Sequence, residues 1–153
     1  MWYFLDTSTF LKHYKPEVGS EVVSALIDDA ANTIALSVMT IAESLSVFNR
    51  LHRAGHVTAE QLQRVVDGMT VDYQTGRYHV LDMTHRQLSQ TQGLIFDHNL
   101  RAPDALILAT ALSLADETPV FVCADTRSGL LHAAEAHGLT TLNPLSPHEP
   151  PRS

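Results

Sequence analysis

Hydrophobic positions along this chain alternate between two periods. WYFLD at 2–6 is a compact apolar run that ends in an acid and predicts a strand. Over 17–31, Val22, Val23, Leu26, Ile27 and Ala30 recur at helical spacing. TIAL at 33–36 predicts a second strand, and Ile41, Leu45, Phe48 and Leu51 restore helical spacing over 38–54. Thr58 and Gln61 form a capping-box pattern ahead of the stripe Leu62, Val65, Val66 and Met69, which Gly76 can end. YHVLDM at 78–83 alternates as a strand does, and Thr84 with Gln87 repeats the capping box. In NLRAPDALILATALSLAD, 99–116, Pro103 suits the first turn of a helix, and nothing from Ala105 to Ala115 is charged. PVFVCA at 119–124 predicts a buried strand, followed by a helix over about 127–137 closed by Gly138. LTTL at 139–142 predicts a last short strand.

Strands separated by helices pair in parallel and carry helices on both faces, so the expected class is α/β with a central parallel sheet. The expected unit spans 1–143, with a proline-rich disordered tail at 144–153. In open sheets of this kind ligands bind beyond the carboxyl ends of the strands, which directs attention to the residues just after each strand.

Four acids stand near such places. Asp6 ends the first strand, Asp125 follows PVFVCA, Glu43 lies early in the helix after TIAL, and Asp104 heads the apolar helix. Each has an ordinary reading taken singly. Asp6 and Asp125 suit N-caps, Asp104 complements a helix dipole, and Glu43 could reciprocate Thr40 in a capping box. Taken together they suggest one carboxylate cluster. Two carboxylates about 5 Å apart repel by roughly 3 kcal/mol at an effective dielectric near 20. A divalent cation removes that conflict, and all-oxygen donors fit Mg²⁺ or Mn²⁺.

Composition narrows the classes. No apolar run approaches the roughly 20 residues of a membrane helix, and MWYFLD lacks a basic leader, so a cytoplasmic protein without a membrane partner is expected. The single cysteine, Cys123, excludes an intrachain disulfide and, flanked by Val122 and Ala124, reads as a buried inert thiol. A net charge of −7 argues against nucleic-acid binding unless the acids gather around bound cations. Local basic groups exist in Lys12, Lys15, Arg50, His52, Arg53 and His56, while Arg101 and Arg127 flank the acids. They read equally as solvated surface or as RNA contacts. Of the nine histidines, His52 and His56 are spaced i, i+4 but have no obvious third ligand, and His98 lies near Asp104. No serine-hydrolase elbow and no P-loop is present.

FLDTS at 4–8, ALSVMTIAESL at 35–45, LRAPDALILATAL at 100–112 and VFVCADTRSGLLHAAEAHGLTTLNP at 120–144 together resemble a PIN domain, most of all the VapC-type toxins of toxin–antitoxin pairs. The resemblance implies a three-layer α/β/α fold and Mg²⁺- or Mn²⁺-dependent RNA cleavage. It assigns the metal-binding and catalytic acids to Asp6, Glu43, Asp104 and Asp125, and a supporting hydroxyl to Thr7 or Ser8. It also implies a VapB-like antitoxin partner, a homodimer, and a single-stranded or looped RNA substrate. Cys123 stands where the family's last motif has threonine, and Arg127 where a second acid often lies. The first departure predicts the loss of a hydrogen-bond donor near the site. The second predicts altered metal affinity or a phosphate contact. Two other readings stay open: a phosphatase or phosphotransferase with Asp6 as nucleophile, and a non-catalytic module of the same fold.

Overall fold

The computed structural model describes residues 1–146. Its elements are β1 (Trp2–Leu5), α1 (Thr7–Tyr14), α2 (Ser20–Asp28), β2 (Thr33–Ser37), α3 (Val38–Arg53), α4 (Ala59–Gln74), β3 (Tyr78–Leu81), α5 (His85–His98), α6 (Ala102–Leu112), a 3₁₀ turn (Ala115–Glu117), β4 (Val120–Val122), α7 (Leu130–Ala136) and β5 (Thr140–Leu142). The strands form one parallel sheet in the order β3-β2-β1-β4-β5.

Strand alternation sorts the core into two layers. Phe4, Ala35, Phe121 and Cys123 point to the face covered by α5, α6 and α7. Phe4 and Phe121 stack there with ring centroids 5.9 Å apart. Leu5, Ile34, Leu36, Val120 and Val122 point to the opposite face, against Phe10, Val23, Ile27 and Met69 from α1, α2 and α4. The three-layer α/β/α expectation therefore holds. The uncharged run after Asp104 is explained by α6, in which Ala105, Ile107, Leu108, Ala109 and Ala111 are all buried, as expected of a helix that is apolar all round. Among the described residues no helix is long and apolar enough to cross a membrane.

Three boundaries differ from expectation. The stripe over 17–31 is helical only from Ser20 to Asp28, and a separate helix, α1, precedes it because Asp6 caps Thr7–Tyr14. Gly19 between them has φ +89°, and a Cβ there would meet the Pro144 carbonyl oxygen at 3.1 Å, so glycine is required by conformation and by contact. The last helix begins at Leu130, not near 127. Asp125 Oδ1 and Ser128 Oγ accept from the backbone N–H groups of Arg127 and Leu130, and so hold that stretch as turns. The expected disordered tail lies outside the described residues from 147 onward, while Pro144 and Leu145 form a turn closed by Ser146 N–H on the Asn143 carbonyl.

Candidate carboxylate site

The site is built where β1 and β4 end side by side. Leu5 is in register with Val122, and the Asp6 N–H donates to the Val122 carbonyl at 3.1 Å, extending the pairing one residue past the strands. Thr9 Oγ1 donates to the same carbonyl at 3.0 Å. This pins the start of α1 to the end of β4. Asp6 is then both N-cap and site residue. Its Oδ1 accepts from the Thr9 N–H at 2.8 Å, and its Oδ2 accepts from Ser8 Oγ at 2.7 Å and Cys123 Sγ at 3.1 Å. Only 3 % of Asp6 is exposed. Burial raises its carboxyl above the ordinary range, and the bonds from Ser8, Cys123 and Thr9 oppose the rise.

Cys123 corrects an expectation. The donor thought lost with threonine is present as a thiol, which bonds Asp6 across 117 residues of sequence. Cys123 is fully buried as foreseen, and burial together with the Asp6 carboxylate pushes its thiol well up, so it stays protonated and able to donate.

Glu43 is not a capping partner. The N-cap of α3 is Ser37, whose Oγ accepts from the Met39 N–H at 3.2 Å. Glu43 sits one turn further on and accepts from Thr7 Oγ1 at 2.6 Å, while Thr40 Oγ1 is buried without a partner. Thr7 and Ser8, the two hydroxyl candidates, thus divide the work: Thr7 holds Glu43 and Ser8 holds Asp6. Ser8 also accepts from the Ala124 N–H at 3.1 Å, which draws the loop carrying Asp125 toward Asp6.

Asp104 occupies the first turn of α6, two residues after its start, and is 8 % exposed. Arg101 Nε donates to its Oδ2 at 3.2 Å. Burial raises the Asp104 carboxyl; Arg101 opposes this, and the charges of Glu43 and Asp6 add to it. The charges of Asp6 and Glu43 thus both act on Asp104, which places these three acids near one another at the carboxyl edge of the sheet. Asp125 lies apart from this coupling. Its Oδ1 is taken by the Arg127 N–H at 2.8 Å, and it lines an adjoining crevice of about 930 Å³.

That crevice carries more cations than anions, with Glu17 and Asp125 as its acids and Glu17 paired to both Lys12 and Lys15. Lys12, Lys15, Arg101 and Arg127 line it together with Ser8, His98, Asn99 and Asp125. Lys12 is 7 % exposed and bonds Glu17 at 2.6 Å. Arg50 and Arg53 do not line it. Residue spacing alone could not separate these cations, because the selection is made by α1 passing beside the ends of α5 and β4.

Among the described residues no group of three His, Cys, Asp and Glu side chains is arranged to hold a metal ion unaided. The donor set is nonetheless that of a hard dication: carboxylate oxygens, neutral hydroxyl and thiol supports, and mutual repulsion that a cation would relieve.

A family model described as PIN domain matches residues 3–139. No curated protein sequence matches the chain significantly. Solved structures similar to it include a toxin–antitoxin complex from Klebsiella pneumoniae, 16 % identical, with TM-score 0.61, covering 93 % of this chain and 97 % of that one. VapBC-1 from nontypeable Haemophilus influenzae is 20 % identical, with TM-score 0.58 and coverages of 94 % and 98 %. VapBC2 from Rickettsia felis, bound to a DNA fragment from their promoter, is 19 % identical, with TM-score 0.58 and coverages of 83 % and 90 %.

Proposed function

Since the chain belongs to the PIN domain family, we propose that it is a metal-dependent endoribonuclease and the toxin of a VapBC-type pair. The observation that carries the reading is the electrostatic coupling of Asp104 to Glu43 and Asp6 at the carboxyl edge of a parallel sheet. Asp6 and Asp104 would hold Mg²⁺ or Mn²⁺, with Glu43 and Asp125 contributing directly or through water. The bound ion would polarise the phosphodiester and make water a competent nucleophile near neutral pH. Ser8 and Cys123 hold Asp6 in one orientation and favour its charged form. Glu43, oriented by Thr7, aligns the attacking water and takes its proton. Arg101 favours the charged form of Asp104 and, with Lys12, Lys15 and Arg127, lines a path for the phosphate backbone. A crevice of this kind accepts splayed single strands or loops more readily than a stacked duplex.

The antitoxin expectation draws support from the similar Klebsiella pneumoniae structure, which is described as a toxin–antitoxin complex. Of the apolar residues of α1 and α2, Phe10, Val23 and Ile27 are core, while Leu11, Tyr14, Val22 and Leu26 stay partly exposed and are open to such a contact. A VapB-like helix and a second copy of the chain are the partners proposed. The phosphatase reading is disfavoured because a nucleophilic aspartate of that class works with a second acid two residues on, and Ser8 stands there, bonded to Asp6.

RNA cleavage by the purified chain tests the proposal. Activity is expected with Mg²⁺ or Mn²⁺, none with chelator, and none from Asp104→Asn. Products should carry 5′-phosphate and 3′-hydroxyl ends. Cyclic phosphate ends, or full activity in chelator, would refute the mechanism.

A further inference from the structure

The described residues hold one close pair of imidazoles, and the carboxylate site does not use it. His98 ends α5, and His137 is the residue just after α7. Their Nε2 atoms stand 3.2 Å apart, 39 residues apart in sequence, on an exposed edge. The ring centroids are 5.2 Å apart and the planes cross at 64°. From these distances, we infer that His98 and His137 form a two-imidazole seat for a borderline transition dication such as Zn²⁺.

Three physical points carry this. Two nitrogens each about 2.0–2.1 Å from a tetrahedral ion stand about 3.3 Å from one another, and their ring centres about 5.2 Å. The observed separations match both values. Without an ion the two Nε2 atoms share a hydrogen bond whose direction depends on the tautomers, so metal binding would replace one shared proton. Second, imidazole selects Zn²⁺, Ni²⁺ or Cu²⁺ over Mg²⁺, so the seat takes a different class of ion from the all-oxygen acids. Third, both rings hang at helix C-termini, where the backbone carbonyls carry partial negative charge that favours a cation. No third His, Cys, Asp or Glu among the described residues completes a triad, so water fills the remaining positions. His98 also lines the basic crevice, which places the ion on its rim and makes it a clamp between α5 and α7.

Calorimetric titration of the tag-free chain with ZnCl₂ tests this. One equivalent should bind to the wild type and to Asp104→Asn, which excludes the carboxylate site as the source. His98→Gln and His137→Gln should each lose that equivalent, while His56→Gln keeps it. The melting temperature should rise with Zn²⁺ only in the chains that bind. The inference is overturned if the wild type binds no Zn²⁺, or if either His98→Gln or His137→Gln binds as the wild type does. It is equally overturned if Asp104→Asn abolishes binding.

Discussion

Replacing Asp104 by Asn should stabilise the ion-free protein while abolishing cleavage. Asp104 is 8 % exposed and faces the charges of Glu43 and Asp6. Like charges about 6 Å apart repel by about 3 kcal/mol at an effective dielectric of 20. Arg101 offsets part of this, but its side chain is 75 % exposed, which limits its contribution to about 1 kcal/mol. The asparagine chain should thus gain about 1–2 kcal/mol, or about 3–6 °C in melting temperature for a domain of this size. The pH dependence follows from the raised carboxyl. The folded chain holds this proton more tightly than the unfolded chain does. Its contribution is therefore fully present below the unfolded carboxylate range and is lost as pH rises through the folded value. In EDTA the two melting curves should differ most above the raised carboxyl's range and converge as pH falls below the unfolded carboxylate range, where the group is protonated in both states. Mg²⁺ should raise the wild type and leave the variant nearly unmoved. An asparagine chain that melts below the wild type in EDTA at neutral pH would refute the repulsion on which the site reading rests.

Cys123→Ala should cost about 1–2 kcal/mol in guanidinium unfolding, and should move the acidic limb of the pH–rate profile upward because Asp6 loses a bond that favours its charged form; Cys123→Ser should restore the limb. Thr7→Val leaves Glu43 without its 2.6 Å donor and should lower kcat about tenfold with little change in stability, as single-turnover kinetics would report. Arg127→Ala should raise KM with kcat nearly unchanged, and should reduce the salt slope of RNA binding by about one unit. Gly19→Ala should destabilise by about 1–2 kcal/mol in thermal melts, since it meets both a positive φ and the Pro144 carbonyl.

Periodicity carried much of the architecture into view. The five strands, the Thr58 capping box and the buried character of α6 follow from local patterns whose physics is local. Where a side chain competes for the backbone, the pattern misleads. Ser37 took the cap that Thr40 and Glu43 seemed to share, and the turns at Asp125 and Ser128 delayed α7. Helix α1 is short, and its apolar spacing merges with the strand before it. At the candidate site, Asp6, Glu43 and Asp104 could be expected near one another because strand ends and helix starts are visible in sequence, while Asp125 stands on the loop beside them. Their supports could not, since the Thr7–Glu43 and Cys123–Asp6 bonds join residues 36 and 117 positions apart and exist only once the sheet sets its register.

The sheet order has a consequence for biosynthesis. The first strand made is the central one, and its second flank is filled only when Val120–Val122 is available. Until Val120–Val122 has left the ribosome, β1 keeps one open edge and the amide of Asp6 lacks its acceptor. Prematurely terminated products can thus contain Asp6, Glu43 and Asp104 without the scaffold that gathers them. Whatever chemistry these acids perform, a nascent chain is unarmed until β4 has been made and paired.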